Sequence, residues 1–318
     1  MHIRLLTLLF TFAALARPSL ATQDPTPSPP SWPTETRSPE TGLRVWQFPS
    51  HDPGAFSLLI LVGVGSRDES PAQAGISHFL EHCLFLSTRD RSEKELIQGL
   101  RKQGGSSNGQ TTQDWTAYWV TLPSQHWRYG VDWLTEQLAR PRFDTEEVAR
   151  EKGIVIEEIK TRHAHGRPPT FEALLYGDHP LGRSIGGSES TVGNVSHEGL
   201  LAWYRDHYCL DNLVVTWAGQ VPADECTSRI QQRLGGLTRT SGTRASQPVH
   251  ARLGASLLNL GMRSSGDRRG FMIQGYVLEP GDATDLASLL VAKELLDDAV
   301  FDEIRTHRGL AYAPQAEL

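Results

Sequence analysis

Residues 78–86 read HFLEHCLFL, two histidines and a glutamate set inside an otherwise apolar run. On a helix, His78, Glu81 and His82 fall at i, i+3 and i+4, so all three project from one face. Two imidazoles four residues apart can grip one Zn²⁺ through ring nitrogens, and a carboxylate between them can reach water held by that metal. The same spacing also suits a pair of ordinary core histidines. The choice rests on whether the rest of the chain supplies a third ligand.

Catalytic zinc takes three protein ligands and leaves one position open. The acidic helix predicted over residues 144–164, with EEVAREKGIVIEEIKTR at 146–162, carries candidates. Glu151 and Glu158 are seven apart and share a face, whereas Glu157 is turned about 100° from Glu158. One acid of this cluster facing the histidines would be a ligand, and another would orient one. Helix geometry alone leaves Glu157 and Glu158 both open.

Working outward, LRVWQF (43–48) and FSLLILVGVGS (56–66) read as strands, the second apolar enough to be central. Helices are predicted over 72–87, 92–103, 124–139, 195–208 and 222–234, and a buried strand over 212–221. GGSSNGQTTQDWTAYWVTLP (104–123) combines turn glycines with strand signal. This is an α+β pattern, a mixed or antiparallel sheet packed with helices, over residues 41–235. After a Gly/Ser/Thr-rich linker, residues 245–318 read as a partial second domain with a strand at 271–279 and a long helix at 283–306.

The N-terminus reads differently. Residues 1–21 have a short basic start, an apolar run from Leu5 to Ala16 and small residues at Ser19 and Ala21, the pattern of a secretory signal. The run is too short to span a bilayer easily, and no membrane span is expected after its removal. Residues 22–40 are rich in Pro, Ser and Thr and read as a disordered tether. The expected location is therefore exported, periplasmic or extracellular.

The whole chain of 318 residues carries 31 basic and 37 acidic side chains, a net charge of −6. That balance gives no electrostatic reason to bind nucleic acid. Three cysteines, Cys83, Cys209 and Cys226, are too few for a disulfide framework, although an exported chain could pair the last two.

These motifs resemble the pitrilysin/insulinase family of zinc peptidases, which includes the mitochondrial processing peptidase and whose H-x-x-E-H reverses the usual zincin order. The likeness runs from about residue 40 to 318. It implies a half-clamshell metallopeptidase domain, followed by part of a second domain of the same type. The family places a glutamate ligand some seventy to eighty residues after the second histidine, with an acid seven residues before it. Glu158 and Glu151 match those positions. The resemblance thus implies one Zn²⁺ per chain on His78, His82 and Glu158, with Glu81 as general base and Glu151 beside the ligands.

It further implies that Asn108 lies on an edge strand that pairs with a peptide substrate. Arg305 and Tyr312, seven apart in EIRTHRGLAY, would lie near substrate and the reacting carbonyl. The implied activity is endopeptidase hydrolysis of peptides or small unfolded polypeptides, with a homodimer or a second family subunit as partner. The other reading for such a chain is a non-catalytic, peptide-binding subunit of a heteromeric peptidase. The intact set His78, Glu81, His82 and Glu158 favours the enzyme.

Overall fold

The computed structural model describes residues 33–48, 50, 54–164, 173, 176–177, 179–239, 256–260, 271–275, 283–316 and 318. The expected signal segment, the first part of the tether and most of the second linker lie outside them.

Six strands form one mixed sheet in the order β1-β2-β6-β3-β5-β4. They are β1 (Thr34–Arg37), β2 (Arg44–Phe48), β3 (Ala55–Val62), β4 (Ser106–Thr111), β5 (Thr116–Pro123) and β6 (Leu213–Gly219). Only β2 and β6 run parallel; the other neighbours are antiparallel. β3 is central, flanked by β6 and β5. Phe56, Leu58, Ile60 and Val62 alternate along it and are fully buried. Each such side chain contributes about 1.5–3 kcal/mol by leaving water.

The helices are α1 (Ile76–Cys83), α2 (Glu93–Lys102), α3 (Trp127–Ala139), α4 (Thr145–Ala164), α5 (Glu189–Asn194), α6 (His197–His207) and α7 (Ala223–Leu234). α2 starts at Ser92, whose hydroxyl accepts from Glu95 N while the Glu95 carboxylate accepts from Ser92 N, a reciprocal cap. α6 starts at Ser196, whose Oγ accepts from Gly199 N. α3 packs on β5, β3 and α7, whereas α1 packs on β4, β5, α4 and α6. Helix α1 therefore lies at the β4 end of the sheet.

In the C-terminal block, β7 (Ser256–Leu260) and β8 (Phe271–Gly275) pair antiparallel. Helix α8 (Ala283–Val300) continues into a π-helical stretch, Phe301–His307.

Three expectations change. The composition of residues 22–40 points to a tether, yet residues 34–37 form β1 on the outer side of β2. All four β1 side chains are exposed. This strand is held by backbone ladder bonds rather than burial, so its sequence is free to look like linker. The predicted helix over 72–87 is shorter. Residues 71–73 form a 3₁₀ turn, and Gly75 breaks the run at φ +93° before α1 begins. Cys209 and Cys226, which an exported chain could pair, are not joined in a disulfide and are buried like Cys83.

Candidate metal centre

Helix α1 buries every residue except His82, so His78 and Glu81 sit in a largely apolar setting. On α4, Val148, Val155 and Ile159 are buried. That apolar stripe docks the helix and turns Glu151 and Glu158, on the same side, toward α1.

Ligand atoms of His78, His82 and Glu158 all lie within 4.8 Å of one another. Glu158 Oε2 is 3.9 Å from His78 Nε2 and 3.5 Å from His82 Nε2. Zinc bonded tetrahedrally at about 2.0–2.2 Å spaces neighbouring ligand atoms ~3.3–3.6 Å apart. The two spacings from Glu158 are within a few tenths of an ångström of that range. The widest spacing in the set, at most 4.8 Å, has to close by about an ångström to reach it, so the residues present fit the ion after a small inward movement. His82 Nδ1 is 2.9 Å from Glu151 Oε1, which leaves Nε2 for the cluster and fixes the ring's orientation. Glu157 points elsewhere: its side chain is 70% exposed and pairs with Lys160 at 2.6 Å. Of the two acids that helix geometry left open, Glu158 faces the histidines.

Burial alone would lower the His82 imidazole. The hydrogen bond to Glu151 and the charges of Glu81, Glu151 and Glu158 outweigh it and hold the group above the ordinary histidine value. Glu81 is pushed above the ordinary carboxylate value, chiefly by burial, against the hydrogen bond it accepts from Thr111. That bond runs from Thr111 Oγ1 to Glu81 Oε2 at 2.5 Å. Gly109 is needed beside it, because a Cβ there would lie 2.7 Å from Glu81 Oε1 and 3.0 Å from Phe85.

Strand β4 is thus both the last strand of the sheet and the wall against which Glu81 rests. Among the described residues β4 pairs only with β5. Asn108 is exposed on it, its Oδ1 accepting from Gly109 N at 2.9 Å. A cleft of about 420 Å³ opens beside His82 and Glu151, walled by Phe85, Leu96, Ile97 and Trp133.

Arg305 and Tyr312 are brought to each other. Arg305 Nη1 donates to the Tyr312 carbonyl at 2.7 Å, and its guanidinium stacks 4.5 Å from the Tyr312 ring. Tyr312 is 83% exposed. Arg305 is half-buried; the resemblance implies a place for the pair beside the reacting carbonyl. Thr111, Gly109 and Glu69 were not expected at the site. Glu69 reaches the start of α1, its carboxylate accepting from Gly75 N at 2.7 Å and Ser77 N at 2.9 Å.

Comparison with known proteins gives the family. Residues 50–189 match the description "Insulinase (Peptidase family M16)", and residues 194–318 match "Peptidase M16 inactive domain". The chain belongs to the M16 family. Its relatives include an uncharacterized zinc protease of Mycobacterium leprae, 31% identical over 87% of this chain and 64% of that protein. Another, from Streptomyces coelicolor, is 29% identical over 79% of this chain and 57% of that protein. The chain thus spans about three-fifths of the length of these relatives.

Among solved structures, a protease from Helicobacter pylori aligns with TM-score 0.62 at 21% identity, over 69% of this chain and 54% of the other. Pitrilysin aligns with TM-score 0.60 at 21% identity, over 68% of this chain and 24% of the other. At that identity the two show a shared M16 fold.

Proposed function

We propose that this M16 chain is a zinc-dependent endopeptidase acting on extended peptides, with Glu81 as its general base. The observation that carries the reading is the convergence of His78, His82 and Glu158 with Glu81 one helical turn away on the same face. The part of the chain matching the inactive-domain description begins at residue 194, after all four residues. That distribution favours catalysis over the peptide-binding-subunit reading.

His78, His82 and Glu158 would hold the ion, and Glu151 keeps the His82 ring in its binding orientation. Zinc, when bound, supplies Lewis acidity that makes water a better nucleophile and polarises the scissile carbonyl. Glu81 accepts the proton of the attacking water and returns it to the leaving nitrogen. Its partly desolvated carboxylate, raised above the usual range, is suited to give the proton back. The open side of β4 offers backbone groups to an extended peptide, with Asn108 at that edge. The apolar walls of the neighbouring cleft suit an apolar side chain of the substrate. Arg305 and Tyr312 would contribute only if their segment moves onto the bound peptide.

The same reading makes the chain an exported protein bound to one zinc and paired with itself or with a second family subunit. Native mass measurement of the protein recovered from an extracytoplasmic fraction tests all three points. The decisive experiment is Glu81→Gln. Zinc content should stay at the parent level, while cleavage of a peptide pool falls by at least ~100-fold. A variant that cleaves at the parent rate would remove Glu81 from this role.

A further inference from the structure

Helix α1 is only two turns long, so whatever fixes its first turn also fixes His78. Its first backbone donors need acceptors. The usual source is a Ser, Thr, Asp or Asn side chain at the residue before the helix. That residue here is Gly75, and nothing larger fits. Its φ is +93°, and a Cβ would lie 2.6 Å from Gly186 O. Gly187, at φ +70°, is closed in the same way by the backbone of Ala74 and Gly75. Two chain segments thus touch backbone to backbone over the start of the helix, and no local side chain can cap it.

Glu69 supplies the missing acceptors from six residues upstream. One carboxylate oxygen takes Gly75 N and the other takes Ser77 N, the residue directly before His78. Glu69 is 3% exposed, and its own carbonyl accepts from Arg183 Nη1 on the segment that leads to Gly186 and Gly187. A buried carboxylate is costly unless it is fully hydrogen-bonded. At a helix N-terminus the backbone donors and the helix dipole favour it. α1 is then pinned at both ends, by Glu69 before His78 and by Glu151 on His82.

The geometry points to Glu69 as a positioning residue for the metal centre, setting the place of His78 relative to Glu158 through the first turn of α1. This inference rests on the zinc reading above. Glu69 touches neither ion nor substrate and acts through the helix.

The test uses the purified protein and its Glu69→Ala and Glu69→Gln variants. Zinc affinity is read by chelator competition, ligand geometry by the visible spectrum of the Co²⁺-substituted protein, and peptide cleavage as kcat and KM. Glu69→Ala should weaken zinc by about 10–100-fold, the range found when a ligand loses its orienting partner. It should also shift the Co²⁺ bands and lower kcat with little change in KM. Glu69→Gln, which keeps the shape and one acceptor oxygen, should fall between parent and alanine. If the alanine variant does not fold, the glutamine variant decides on the same readouts.

Parent-like zinc affinity and Co²⁺ spectrum in a folded variant would overturn the inference, even with a lowered melting temperature, because that combination marks a structural role only. Absence of zinc from the parent would instead take down the proposed function, and this inference with it.

Discussion

Helices α1 and α8 are both rich in apolar side chains, and the protein treats them in opposite ways. α1 buries all of its residues but one, including His78 and Glu81. α8 leaves Leu290 44% exposed, Val291 61%, Leu295 67% and Leu296 55%. Apolar content therefore does not say which helix is in the core. The informative residues are those that go against their setting. Polar side chains inside α1 weaken the core and are paired one by one with Thr111, Glu151 and Glu158. The proposed metal centre accounts for their presence there.

The largest expected effect tests the contrast in burial itself. Leu80→Ala in α1 should cost about 2–5 kcal/mol in urea unfolding, since it empties a closed site. Leu295→Ala in α8 should change stability by no more than about 0.5 kcal/mol. Similar losses from both would break the comparison, and would mean that α8 is covered in solution.

Next comes the contrast between neighbouring acids on α4. Glu158→Gln should weaken zinc binding by more than ~100-fold, beyond the loss of a ligand's hydrogen-bond partner, while Glu157→Gln leaves it unchanged. Equal zinc retention in the two variants would sink the choice of ligand.

A smaller effect is expected one contact further out. Thr111→Val removes the hydrogen bond to the Glu81 carboxylate, and a lost bond to a charged group is worth about 1.5–3 kcal/mol. kcat should fall roughly tenfold or more with zinc content unchanged. An unaltered kcat would show that Glu81 is held by its helix alone.

The last effect is on the pH dependence of stability. Burial pushes the Glu69 carboxyl from its ordinary 4.5 up to about 7, against the lowering effect of its bonds from Ser77 and Gly75. The folded protein therefore holds this proton where the unfolded chain has released it. The resulting contribution is complete below 4.5 and is lost as pH rises through about 7. In metal-free protein, Glu69→Gln should flatten the decline of urea stability over that interval relative to the parent. Parallel profiles would show that Glu69 does not titrate in this range.

Much of this architecture can be read from the chain, for identifiable reasons. β3 and β6 alternate buried and half-buried residues, and in the sequence they declare themselves as near-continuous apolar runs. α1 declares itself because histidine and glutamate interrupt an apolar run at helical spacing. Periodicity carried the reading to the point where Glu157 and Glu158 stood level; the family resemblance implied Glu158, and the packing of α4 by Val148, Val155 and Ile159 turns that side toward α1. What was not legible lies in contacts between distant residues. Thr111 meets Glu81 across thirty positions, and Gly109 is small because of a carboxylate that its own strand does not contain. β1 was hidden for another reason, since an exposed edge strand makes no demand for apolar residues. Glu69 stands in a polar turn whose sequence gives no sign of burial; it is buried where it meets the backbone donors of Gly75 and Ser77.

Strand β4 has one further consequence. An open sheet edge invites any extended chain, including another copy of the same protein, and is a standing risk of self-association. Ser-Ser-Asn-Gly-Gln-Thr is a poor recipe for such a template. It has no large apolar side chain, and glycine and asparagine are weak strand formers. A passing strand would gain backbone bonds there and little else. Only a partner held at a second point, as a peptide drawn to the neighbouring cation would be, gains enough to stay. On the proposed function the blandness of this edge would work as a filter: it would discourage promiscuous pairing while leaving the strand available to a doubly anchored guest.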